Sequence, residues 1–165
     1  MFKLKEVKVN YMIEPITISG KPSFSWCYEN GSNSKQESYQ IICSLEDGTI
    51  LWDSKIINSN QMTNISYEGS TELPSRSVIL VKVIVKSNNN EVDYFNTYFE
   101  TTLKDNEWLG KWTSIPNNFN GGTLYFRKQF KLKNKEIKKA RCYICGIGYH
   151  EFYLNGKKVG DKVLN

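Results

Sequence analysis

Residues 77–86 read Ser-Val-Ile-Leu-Val-Lys-Val-Ile-Val-Lys, and no other run constrains the fold as strongly. The odd positions Ile79, Val81, Val83 and Val85 are all apolar, while the even positions turn from apolar to charged (Val78, Leu80, Lys82, Ile84, Lys86). Side chains alternate across a strand, so this pattern predicts a half-buried strand whose odd face meets a core.

The rest of the first hundred residues repeats the theme in shorter pieces separated by turn signals. Val7–Ile18 reads as extended and broken at Pro15. Ser23–Tyr28 alternates around Phe24, Trp26 and Tyr28, with Trp26 expected in the core. Tyr39–Leu45 runs into Glu46-Asp47-Gly48, a hairpin signal, and Thr49–Trp52 follows. Met62–Tyr67 precedes Glu68-Gly69, Ser87–Asn90 is a polar turn, and Tyr94–Thr102 completes the set. About seven short strands in about 100 residues match an immunoglobulin-like or fibronectin type III-like β-sandwich. Composition agrees. Val, Ile, Phe, Tyr, Trp and Thr supply 55 of 165 residues, and Ala140 is the single alanine. Strand formers abound and the best helix former is nearly missing, so the expected class is all-β and a helix bundle is excluded.

Lys104-Asp105-Asn106-Glu107 reads as a linker, and the charge balance changes there. Residues 1–103 carry a net charge of −3 and residues 104–165 a net charge of +8. The second part opens with Trp108 and Trp112, expected to pack at the junction. Its strand candidates are Thr123–Leu132, Ala140–Cys145, Tyr149–Leu154 and Lys157–Val159, the last two flanking Asn155-Gly156, the signature of a type I′ turn. Four or five strands cannot close a sandwich and would leave an apolar face and a bare edge. The expected organisation is therefore a β-sandwich over 1–103 and an incomplete β-domain over 104–165.

Most kinds of chemistry find no support in the residues. No run approaches the roughly 18 apolar residues of a membrane span, and the start has no signal-peptide stretch, so a cytoplasmic location is expected. Asn30-Gly31-Ser32 and Asn64-Ile65-Ser66 are then idle sequons. The cysteines Cys27, Cys43, Cys142 and Cys145 are too few for a disulfide framework and are expected as free thiols. Cys142-x2-Cys145-x4-His150 begins like a zinc knuckle, but its fourth ligand would fall on Asn155. In a strand, Cys142 and Cys145 point to opposite faces, so core or half-buried thiols are expected and no metal or cofactor. His150 is the only histidine and reads as structural. Gly146-Ile147-Gly148 precedes no helix and reads as a bulge or bend rather than a phosphate loop. Lys131, Lys133, Lys135, Lys138, Lys139 and Arg141 form a basic run, weighed as a nucleic-acid surface and read as a solvated face. Neither nucleic acid nor a membrane is expected as a partner. No two carboxylates stand out as the pair that glycoside hydrolysis requires. No catalytic, carbohydrate-binding or metal-ligating residue can be singled out.

Three stretches carry a family pattern: Glu107 to Trp112 (EWLGKW), Leu124 to Phe130 (LYFRKQF) and Ala140 to Asp161 (ARCYICGIGYHEFYLNGKKVGD). Together they resemble the N-terminal part of bacterial α-L-rhamnosidases. There a W-x-x-x-W opening leads to R-K-x-F and then to A-R…G-x-G-Y-x-E-x-x-x-N-G-x-x-V-G-D. Pro22 to Trp26, Leu51 to Ser54, and Phe99 to Thr101 are similar to that family's leading fibronectin type III-like domain. Val78 and Leu80 depart from it, standing where the family often has Tyr and Trp.

The resemblance implies that the second part begins a jelly-roll β-sandwich. It also implies a catalytic (α/α)6 barrel elsewhere, carrying the acidic general acid and base, so no catalytic residue transfers to this chain. Some relatives hold a calcium-dependent rhamnose site in the jelly roll, but no ligand of it maps here, and a turn-forming Asn-Gly explains Asn155. The implied function is a non-catalytic N-terminal accessory region of an α-L-rhamnosidase-like glycoside hydrolase. The parent would remove terminal α-L-rhamnose with inversion. The implied partners are the remainder of the hydrolase, or a chain that completes the second domain, and a rhamnose-containing glycan. The alternatives are a stand-alone carbohydrate-binding module using Trp108 or Trp112, and a basic nucleic-acid-binding protein using Lys131–Arg141.

Overall fold

Eight strands form in the first part of the chain: β1 (Lys3–Val9), β2 (Ser23–Glu29), β3 (Gln36–Leu45), β4 (Ile50–Asp53), β5 (Ile57–Asn58), β6 (Ile65–Ser66), β7 (Val78–Ser87) and β8 (Val92–Glu100). They come from a computed structural model that describes residues 2–29, 34–115, 121–133 and 136–160. The sequon at Asn30, Lys135 and Asp161 lie outside the described residues. By packing, the chain divides into two units, Met1–Leu109 and Gly110–Asn165.

In the first unit, one sheet has the order β1-β2-β6 and the other β4-β3-β7-β8, with β5 also paired to β3. Every ladder is antiparallel. This is the expected all-β sandwich. The odd face of β7 is the core face: Ile79, Val81, Val83 and Val85 are each at most 1% exposed. Phe24 from the first sheet meets Trp52 (ring centroids 6.0 Å apart) and Phe99 (6.5 Å) from the second. Burying a side chain of that size contributes about 2–3 kcal/mol each. Trp26 is buried as expected, edge-on to Tyr39, and its indole N–H donates to Gln36 Oε1 at 2.8 Å. The Gln36 amide nitrogen in turn donates to the carbonyls of Ser59 (3.0 Å) and Gln61 (2.9 Å). A buried amide thus spends its polar groups on β2 and on the loop before β6. Gly69 lies beneath Tyr67, where a Cβ would overlap the phenol ring.

The first strand differs from the expectation. It starts at Lys3 and stops at Val9, because Asn10 and Tyr11 adopt left-handed backbone (φ 48° and 63°). The Asn10 side chain then accepts from Ser23 N–H at 2.8 Å. Beyond this kink the chain crosses to the other sheet. Ile18 N–H donates to Glu100 C=O and Thr102 N–H to Ile18 C=O, both at 2.9 Å, in a parallel bridge. The segment covers part of the open edge of β8, which a sheet protein must protect.

Among its described residues, the second unit has one short hairpin, β9 (Tyr153–Leu154) and β10 (Lys157–Lys158). Asn155 (φ 49°) and Gly156 (φ 78°) both adopt the positive φ that a type I′ turn requires. Among the described residues, 123–132 and 140–145 form no strand ladder. Alternation supplies only one face of a strand; the ladder needs a neighbour for its N–H and C=O groups. Cys142 and Cys145 are consequently exposed rather than core or half-buried, while Cys43 is buried and Cys27 exposed.

Candidate functional site

A polar cluster of the second unit follows from local spacing. Tyr149 closes a bend, Tyr153 opens β9 and Glu151 lies midway between them, and this spacing of two brings the three side chains together. The Asn155-Gly156 turn then sets the register and pairs Lys158 with Tyr153. Three side chains converge on one carboxylate. Glu151 Oε1 accepts from the Lys158 ammonium (2.6 Å) and the Tyr149 hydroxyl (3.1 Å), and Oε2 accepts from the Tyr153 hydroxyl (2.7 Å). The bond from Lys158, then those from Tyr153 and Tyr149, pull the Glu151 carboxyl down to about 2. Reciprocally, the carboxylate raises the Tyr153 phenol and the Lys158 ammonium. At neutral pH Glu151 is a fixed anion with both oxygens engaged. A general acid needs the opposite tuning, a carboxyl held protonated near the working pH, so this one is an acceptor and an anchor.

This cluster is what sequence reasoning missed. The signal was present in Tyr-x-Glu-x-Tyr followed by Asn-Gly and a Lys that the turn places opposite the second Tyr.

The other candidates do not converge. Residues 147–149 form a bend, with Gly148 at φ 90°, but among the described residues it does not join two strands as a strand bend or bulge would. His150 Nδ1 lies 3.3 Å from Gly148 O, and a Cβ on Gly146 would stand 2.6 Å from that nitrogen, so the ring packs on the glycine backbone. Among the described residues, no three His, Cys, Asp or Glu side chains gather where they could hold a metal. Lys131, Lys133, Lys138, Lys139 and Arg141 are all exposed. Trp26 and Trp52 belong to the first unit's core packing, whereas Trp108 is 42% and Trp112 72% exposed. In the first unit, Asp53 is pulled down to about 2, first by Lys55 and then by Gln40, and its bonds bind the end of β4 to β3.

Known proteins give this arrangement its context. The family described as "Rha78A-like, N-terminal immunoglobulin domain" matches residues 4–105, and "Alpha-L-rhamnosidase N-terminal domain" matches residues 135–165. An α-L-rhamnosidase of Formosa agariphila is 33% identical over 193 aligned residues, covering 97% of this chain and 20% of its own length. An α-L-rhamnosidase of Alteromonas sp. is 29% identical over 157 residues, covering 84% of this chain and 17% of its own. The chain thus spans about a fifth of the length of these curated relatives. Among solved structures, the Streptomyces avermitilis α-L-rhamnosidase complexed with L-rhamnose shares the fold (TM-score 0.64, 22% identity, 70% of this chain and 12% of that one). The Dictyoglumus thermophilum α-L-rhamnosidase matches at TM-score 0.61 and 28% identity, over 69% of this chain and 14% of that one. With an immunoglobulin-like domain match over 4–105 and an α-L-rhamnosidase N-terminal domain match after it, the chain belongs to the α-L-rhamnosidase family, as the N-terminal accessory region of such proteins.

Proposed function

We propose that this chain serves, without catalysing, as the leading part of a hydrolase that removes terminal α-L-rhamnose, and that it packs against the remainder of that enzyme. The observation that carries this reading is the order of the two family matches, 4–105 then 135–165, on about a fifth of the relatives' length. Two features of the molecule support it. Both oxygens of the Glu151 carboxylate are engaged by Lys158, Tyr149 and Tyr153, so it is an anchored anion rather than an acid. The stretch 123–132 has an apolar face of Leu124, Phe126, Phe130 and Leu132, all exposed, which further strands of the same jelly roll would cover. The test is turnover of an aryl α-L-rhamnoside by this chain and by the chain continued into a family catalytic barrel. The expected result is no turnover by the first and measurable turnover by the second. Turnover by the 165-residue chain itself would overturn the proposal.

A second reading, direct glycan contact by the second unit, is favoured by Trp112, Tyr125 and Tyr149, each presenting an exposed ring on which a sugar could stack. Tryptophan fluorescence titrated with L-rhamnose, with and without calcium, tests it. A saturable change supports the reading, and a flat signal to millimolar sugar removes it.

A further inference from the structure

The stretch Lys104–Glu107 has the composition of a tether, but it is bonded back onto the sandwich. It forms a short 3-10 turn, Asp105–Glu107, closed by Glu107 N–H donating to Lys104 C=O at 3.0 Å. The Glu107 carboxylate accepts from the Ser75 hydroxyl and from the Lys104 backbone N–H (3.1 Å), and the Arg76 guanidinium stands 3.8 Å from its other oxygen. The Lys104 ammonium reaches Glu72 at 2.9 Å. Just upstream, the Thr101 hydroxyl donates to Pro74 C=O (2.6 Å) and accepts from Ser77 N–H (2.9 Å), and Arg76 N–H donates to Thr102 C=O (3.2 Å). Arg76 itself sits at φ 54°, a left-handed conformation that costs a non-glycine residue energy and persists where the surroundings hold it. The 72–77 loop and the 101–107 segment are therefore joined along their length. Among the described residues, no hydrogen bond ties Trp108, Leu109 or Gly110 back in the same way.

We propose that Glu107 is a positioning residue, a latch that carries the rigid sandwich through residue 107, so that the chain's joint begins at Trp108 rather than at Lys104. Its role is to fix the direction in which the chain leaves the first domain. A bare tether at 104–107 would leave that direction free. The bonds from Ser75, the Lys104 N–H and Arg76 converge on one carboxylate, and no residue of the turn is buried, so removing that carboxylate releases the end of the segment without dissolving the core.

Limited trypsin digestion of the full chain, read by mass spectrometry, tests the proposal. Trypsin can cut after Lys104 and after Lys111, and cleavage needs locally opened chain, so its rate reports the open population. Each rate is normalised to the same bond in a synthetic peptide of residues 99–115. In the unmodified chain the Lys104 bond is expected to be cut at least about tenfold more slowly than in the peptide, and the Lys111 bond at close to the peptide rate. Glu107→Ala, normalised to its own peptide, should restore Lys104 cleavage while the thermal midpoint of the sandwich stays within about 2 °C. Ser75→Ala, which removes one donor only, should give an intermediate rate. Cleavage after Lys104 at the peptide rate in the unmodified chain, or unchanged protection in both variants, would overturn the latch.

Discussion

The two units draw on the same residue types and reach different ends. In the first, β7 (Val78–Ser87) alternates apolar and polar positions and has β3 on one side and β8 on the other. Its odd face is closed off from water. In the second, residues 123–132 alternate almost as regularly, Leu124, Phe126, Phe130 and Leu132 against Tyr125, Arg127, Gln129 and Lys131. Yet Phe126 and Phe130 are 61% and 63% exposed, and no ladder forms among the described residues. The difference lies in the partner rather than in the propensity. A strand is stabilised by cross-strand pairs and by a second sheet over its apolar face, and among the described residues only the first unit shows both. Where the second unit does fold locally, it uses a turn that supplies its own partner strand. The Asn155-Gly156 hairpin needs nothing beyond six residues to satisfy its register.

The largest effect that would break this comparison comes from truncating matched aromatics. Phe24→Ala should cost about 3–5 kcal/mol of unfolding free energy, because it empties space between Trp52 and Phe99. Phe126→Ala should change stability by no more than about 0.5 kcal/mol. Urea denaturation of both variants measures the pair, and equal losses would mean that the second unit buries a core of its own.

Gln36→Leu comes next. It leaves the Trp26 indole N–H and the Ser59 and Gln61 carbonyls without their partner inside the first unit, and should cost about 1–3 kcal/mol. A near-neutral result in the same denaturation experiment would show that the amide is replaceable.

Thiol labelling sharpens the contrast between the units without mutation. Burial pushes the Cys43 thiol up to about 12, whereas Cys27, Cys142 and Cys145 are exposed. At pH 8 an aromatic disulfide reagent should label Cys27 and Cys142 at rates typical of accessible thiols, and Cys43 only on unfolding. Rapid labelling of Cys43 in the native chain would contradict the packing of β3.

The smallest effect is local to the hairpin and depends on pH. The folded Glu151 carboxyl lies at about 2, below the value of about 4.3 for a free glutamate, held down by Lys158, Tyr153 and Tyr149. A depressed acid contributes its stabilisation fully above the unfolded value and loses it as pH falls through the folded value. Hairpin order should therefore be constant from pH 7 to about 5 and fade between about pH 4 and 2. Carboxyl chemical shifts across an acid titration measure this, and a midpoint near 4 would show the cluster to be loose in solution.

Legibility in the sequence followed the range of the interactions. The β7 core face, the buried Trp26 and the type I′ turn at Asn155-Gly156 were readable because alternation and turn chemistry are local. The early end of β1 at Val9 was not, because the kink depends on Asn10 bonding to Ser23, thirteen residues away. The two-residue strand β5 escaped notice because Ile57–Asn58 is too short to show a period. The strand-like look of their stretch predicts core or half-buried thiols at Cys142 and Cys145, but inside and outside exist only once a sheet has something to cover. The Glu151 cluster lay between these cases. Each of its spacings is local, but its meaning needs the period of two and the hairpin register together.

Amide hydrogen exchange across the whole chain at pH 7 tests the central contrast most directly. The account predicts slow exchange throughout β3, β7 and β8, with the most protected amides at Ile41, Val81 and Val83. In 121–160 it predicts measurable protection only around the Tyr153–Lys158 hairpin. Strong protection along 123–132 or 140–145 would contradict it, because those segments would then be paired strands and the second unit a closed domain in its own right.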